Sequence, residues 1–194
     1  MIRAILLSML AVASAAAQER PATVPTRDVD VTYRAGQGDQ AVVQRSRWQA
    51  AARKMRLDTP TPGLYVIVDY AAQTLEVVSD PDRRVLDLPA PKDGLPGQGA
   101  AGRAGTSGSF ARRGNSQVAG LPCTEWETLD TLGQPAITCF TPDGVLLQAR
   151  RGAQVLVQAV RVAYGNLDPS AFVVPPSYSH HIPHSHDPTP GGAR

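Results

Sequence analysis

The chain is poor in what most enzymes and nucleic-acid binders are built from. It has two cysteines, and its aromatic content is only 5%. Its four histidines, His180, His181, His184 and His186, fall within one short stretch, "YSHHIPHSH". A histidine base positioned elsewhere in the fold is therefore excluded, and with it the usual serine or cysteine hydrolase arrangement. Charge of one sign is also missing. The formal net charge of +2 over 194 residues is too small for a polyanion partner, so no nucleic-acid ligand is expected. Beyond the first residues no apolar run is long enough to span a bilayer, so no transmembrane span is expected once those residues are removed.

What is present begins with an export pattern. Met1-Ile2-Arg3 is followed by "AILLSMLAVASAAA", and Ala15-Ala16-Ala17 satisfies the small-x-small rule for cleavage after Ala17. The expected compartment is the periplasm. In that oxidising setting an isolated cysteine pair reads as a disulfide, so Cys123 and Cys139 are expected to bond across a hairpin centred on "TLGQP". The spacing is not the C-x-x-C of a redox pair.

Seventeen prolines and seventeen glycines disfavour a helical bundle and favour strands joined by turns. Residues 18–27 read as a polar linker. "DVDVTYR" then alternates, with Val29, Val31 and Tyr33 on one face. "QAVVQRSRW" reads as a second strand, whereas "QAAARKM" is ambiguous between a short helix and a turn. "LYVIVDY" is apolar on both faces, as a strand covered on both sides would be. With "TLEVVSD" and "RRVLDLP" it makes an antiparallel meander. Residues 89–108 carry no hydrophobic period and read as a mobile Gly/Pro-rich loop. In "AQVLVQAVRVAYG" the apolar residues change face near Gln158, which predicts a bulge or break. The sum is one mainly β domain over residues 28–174, a curved antiparallel sheet of nine or ten short strands with few helices. Residues 175–194 read as a disordered tail rich in His, Pro and Gly.

Candidate chemistry is sparse. "GQGAAG" at 97–102 has the letters of a dinucleotide fingerprint but neither the preceding strand nor the following helix. Ser107 and Ser109 do not sit in a nucleophile elbow. Glu125 and Glu127 share a strand face and read as solvated rather than catalytic. The basic run Arg45, Arg47, Arg53, Lys54 and Arg56, with Trp48 inside it, reads as a solvent face with acidic neighbours, the alternative being contact with anionic headgroups. Imidazoles spaced H-H-x-x-H-x-H suit Zn²⁺, Cu²⁺ or Ni²⁺, and weak binding at the tail is the one cofactor role open to them.

The order of "DVDVTYR", the basic strands ending "RKMRLD", "LYVIVDYAAQTLEVV" and the closing "LDPSAFVVPPSY", with Asp168, Phe172, Pro175 and Pro176, resembles the LolA/LolB-like half-barrel superfamily of lipoprotein carriers over residues 28–178. The segments "CTEW" and "CFTPDGV" look closer to its uncharacterised exported relatives of unknown function. The resemblance implies a half-open barrel holding an apolar ligand on its concave face under a lid of helices. The leading expectation is thus a non-enzymatic binding domain of the periplasm. Alternation places Val29, Val31, Tyr33, Val66 and Val68 on the ligand-facing side. Metal binding through the histidine tail and a structural or interaction module contacting an envelope protein are the alternatives.

Overall fold

The computed structural model describes residues 19–90, 110–129 and 133–183. Twelve strands build one open, curved sheet. Six belong to a first meander: β1 (Val29–Ala35), β2 (Val42–Gln49), β3 (Lys54–Asp58), β4 (Leu64–Asp69), β5 (Thr74–Ser79) and β6 (Arg84–Pro89). Five form a second: β7 (Ala111–Val118), β8 (Leu121–Leu129), β9 (Pro135–Phe140), β10 (Leu146–Arg151) and β11 (Gln154–Tyr164). A three-residue strand, β12 (Ser179–His181), ends the described chain. The order across the sheet is β12-β6-β5-β4-β3-β2-β1-β11-β10-β9-β8-β7. Every pairing is antiparallel except β12 on β6. The first strand of one meander and the last of the other, β1 and β11, join them, which leaves β1 in mid-sheet. The second meander curls until β7 comes within reach of β11. Helical structure among the described residues amounts to two 3-10 turns, Gly38–Gln40 and Pro169–Phe172, and no helix there is long and apolar enough to cross a membrane.

Local chemistry explains the turns. "QAAARKM" resolves as a turn into β3: Arg53 donates its amide to the Ala50 carbonyl at 3.2 Å and has a φ of 51°. Gln73 and Arg83 close the β4–β5 and β5–β6 hairpins in the same left-handed conformation, at φ 58° and 49°. A left-handed residue ending a turn supplies the twist that hairpin strands need. A turn unforeseen in "SQVAGLPCTEW" divides β7 from β8, with both Ala119 and Gly120 at positive φ. The expected break in β11 is present as two bulges flanking Gln158. Val160 is the extra residue against β1 and Leu156 the extra residue against β10. The outward bulge at Val160, 53% exposed, returns Ala159 and Val162 to the same face, so the strand stays on the core throughout.

Pairing register assigns the faces, because residues opposite each other across a ladder point the same way. Val29, Trp48, Met55, Val68 and Leu75 form one row across five strands. Val31, Ser46, Leu57, Val66 and Val77 form the next. This inner face is the main core. The outer face of β4–β6 is apolar too: Tyr65, Ile67, Val78 and Val85 are buried there beneath Val174 and Tyr178 of the C-terminal segment. That cover makes β4 a strand buried on both sides, as its sequence implies.

Two boundaries move. The segment read as tail from 175 is ordered as far as it is described. Tyr178 donates to Asp80 at 3.0 Å, and Ser179–His181 pair with β6, because β6 offers an unpaired edge and an apolar face beside it. Likewise Pro89 belongs to β6 and Ala90 is buried. The rest of the Gly/Pro-rich loop, the export segment and the chain after Pro183 lie outside the described residues.

Candidate functional site

All five residues assigned to the ligand face by alternation lie on the inner face. Val29, Val31 and Tyr33 line a cavity of about 90 Å³. Val66 and Val68 pack farther along the same face and do not reach it. Its remaining walls come from Trp48 and Met55 of the first meander and from Val145, Leu146 and Val157 of the second. Gln44 and Ser46 give it a polar edge. The Tyr33 hydroxyl donates to the Leu146 carbonyl at 2.8 Å, tying the two meanders together. Burial pushes that phenol well above its ordinary range, so it stays a neutral donor.

The roof of the cavity is the segment read as a linker. Thr23 and Pro25 line it from above. Trp48 Nε1 donates to the Pro25 carbonyl at 2.8 Å, and the Thr26 amide donates to the Asp143 carbonyl at 2.9 Å. Arg27 lies 3.7 Å over the Tyr164 ring and donates to Asp143 Oδ2 at 2.8 Å. The Tyr164 hydroxyl donates to Asp143 Oδ1 at 3.2 Å. Burial by itself would raise the Asp143 carboxyl. The hydrogen bonds from Thr141, Arg27 and Tyr164 outweigh it and hold that carboxyl below its usual range. Pro and Thr in "PATVPTR" read as a spacer because proline offers no ladder donor. The same stiffness suits an extended strap held by the Pro25 carbonyl, the Thr26 amide and the Arg27 side chain. Where the resemblance implies a lid of helices, the described chain has this strap, with no α-helix among the described residues.

A cavity of about 90 Å³ is smaller than the roughly 150 Å³ that admits benzene. It takes a few small atoms while the strap is down. Trp48, Val31 and Tyr33 form its apolar slot beneath the strap.

The other sequence candidates are placed as follows. Cys123 and Cys139 are joined, with Cα atoms 5.5 Å apart. They are not face to face, since Cys139 lies opposite Glu125, so the bond runs diagonally across the β8–β9 hairpin. Apart from Arg53, which ends the β2–β3 turn, the basic run is a paired outer face. Arg45 binds Asp30, Arg47 and Arg56 both bind Asp58, and Lys54 binds Asp69 at 3.2 Å. Arg56 also lies 3.6 Å over the Tyr65 ring. Glu125 pairs with Arg150 at 3.5 Å and Glu127 with Arg113, which accounts for both carboxylates on β8. His180 and His181 sit in β12, whereas His184 and His186 lie outside the described residues, as do Ser107, Ser109 and the "GQGAAG" stretch.

No protein-family model matches the chain, and no curated protein does. Solved structures do. An uncharacterized conserved protein from Thermus thermophilus superimposes with a TM-score of 0.57 at 10% identity, covering 81% of this chain and 91% of that one. MucB follows at a TM-score of 0.47 and 16% identity, over 75% of this chain and 56% of that one. MucB in the Pseudomonas aeruginosa MucA/MucB complex gives 0.45 at 14% identity, over 74% and 54%. The chain thus spans about half the length of the MucB chains it matches. At these identities the likeness to the Thermus protein is one of fold.

Proposed function

We propose that this chain is a non-enzymatic binding module of the periplasm that takes an apolar ligand, a lipid chain or a similar group, in the slot that opens when the Thr23–Arg27 strap lifts. The observation that carries this reading is the cavity itself. It lies on the face that alternation assigned to the ligand, and a segment held by a few polar contacts roofs it rather than a continuous apolar core. Concave apolar surfaces with a few polar groups at the edge are where small ligands bind. The disulfide supports an oxidising compartment.

The test is to purify the protein from an export-competent host, extract it with organic solvent and identify co-purified lipid by mass spectrometry. Binding of a fluorescent fatty acid is measured alongside. Filling the slot with Val31→Phe is expected to abolish binding while leaving the fold intact by circular dichroism. An empty protein that takes up no fatty acid, or uptake unaffected by V31F, removes this reading.

A further inference from the structure

On the outer face of the sheet, away from the slot, Glu76 of β5 and Asp87 of β6 lie directly opposite each other in the ladder. Like charges in such a pair destabilise a sheet unless something offsets them. Both carboxylates are partly buried. Burial, and next the charge of Asp87, push the Glu76 carboxyl above its ordinary range. The nearest cation of the first meander is committed elsewhere, since Lys54 pairs with Asp69 at 3.2 Å. The group brought to the pair is an imidazole: His180 Nδ1 stands 2.9 and 3.1 Å from the two Asp87 oxygens. One ligand atom from each of Glu76, Asp87 and His180 lies within 4.8 Å of the others. Tetrahedral ligands about 2.1 Å from a zinc ion stand about 3.4 Å apart, so small rotations of three side chains close the set.

We infer that Glu76, Asp87 and His180 form a binding site for a divalent transition-metal cation, which fastens the C-terminal strand β12 to the sheet. One imidazole and two carboxylates suit a borderline ion such as Zn²⁺, with a coordination position left for water or a further ligand. The ion takes the place of the direct His180–Asp87 contact and neutralises the Glu76–Asp87 pair. It also adds a link to a strand of three residues that is held by its ladder, by Ser179 on the Arg83 carbonyl and by the Tyr178 anchor. Because the ligands must be deprotonated, affinity falls as the solution is acidified.

The experiment is calorimetric titration of the full mature chain with Zn²⁺ at neutral pH, with circular dichroism to verify folding of each variant. Wild type is expected to bind one ion. Glu76→Gln and Asp87→Asn, which keep the histidines, are each expected to weaken binding by about tenfold or more. The double variant His184→Ala/His186→Ala is expected to keep one-to-one binding. Zn²⁺ is also expected to raise the melting temperature of wild type and not of E76Q. Two results overturn the site: no binding by wild type, or affinity unchanged in E76Q and D87N, which would assign the metal to the histidines alone.

Discussion

Gly144 lies so close under Val24 that a β-carbon built on it would stand 2.3 Å from the Val24 carbonyl oxygen. Its φ of +92° is itself a conformation that side chains avoid. The strap can lie flat only because the turn after β9 has no side chain there. Gly144→Ala is therefore expected to lift the strap, at a cost of about 1–3 kcal/mol. Hydrogen exchange at the Thr26 amide, which bonds to Asp143, and tryptic cleavage after Arg27 should both accelerate. Unchanged exchange at Thr26 would mean that the strap is held independently of this contact.

The Trp48 indole supplies the second fixing point. Trp48→Phe keeps a ring against Tyr70 but removes the donor to the Pro25 carbonyl. The expected loss is about 1 kcal/mol in urea denaturation, the usual net worth of one such bond. In combination with Gly144→Ala the two losses should be less than additive, since both act on one strap.

Protonation reaches the same latch. Asp143 is held below its ordinary value of 3.8, so its contribution is complete above that value and is lost as pH falls through its lower value in the folded protein. Asp58, partly buried yet bonded by Arg56 and Arg47, has the same sign. Melting temperature followed downward from about pH 5 should fall most steeply below pH 3.8, and Asp143→Asn should flatten part of that fall. Glu76 carries the opposite sign. Its raised carboxyl favours the folded state at acid pH and loses that contribution as pH rises past its folded value.

Reduction of the Cys123–Cys139 bond opens a loop with a sequence separation of 16. The double variant C123S/C139S is expected to lose about 3 kcal/mol by the chain-entropy estimate. Equal denaturation midpoints with and without reductant would show that the β8–β9 hairpin is stable without the bond.

Ala119 is left-handed at φ 50°, which costs an L-residue with a β-carbon about 1 kcal/mol. Ala119→Asn is expected to stabilise the β7–β8 hairpin by roughly 0.5–1 kcal/mol, measured as a rise in the denaturation midpoint.

The legible parts of this fold are those written as local periods. The alternation at Val29, Val31 and Tyr33 identified a half-buried strand and its inner face, and the two-sided run at Leu64–Val68 identified a strand covered on both sides. The face change near Gln158 marked the bulges of β11, because an extra residue must break a period of two. At Ala119-Gly120 only Gly120 carries a turn signal, and a lone glycine inside a strand pattern does not mark where the strand ends; the pairing of β7 with β8 places the turn there. The strap escaped for a related reason. Its contacts, Pro25 with Trp48 and Arg27 with Asp143, join residues 23 and 116 positions apart, and no local pattern records them.

A β-rich chain with a cysteine pair and an inner face follows from the residues alone, since a pleated strand converts every second residue into a side. Tertiary structure decided what covers each face. The inner slot is roofed by the N-terminal strap, and the outer face of β4–β6 by the C-terminal segment. The Asp80–Arg83 turn fixes the β5–β6 register and so sets Glu76 against Asp87, eleven positions along the chain. Only the docking of β12 on the β6 edge carries His180 to them across a separation of 93, because pairing between strands distant in the chain is written in no local pattern.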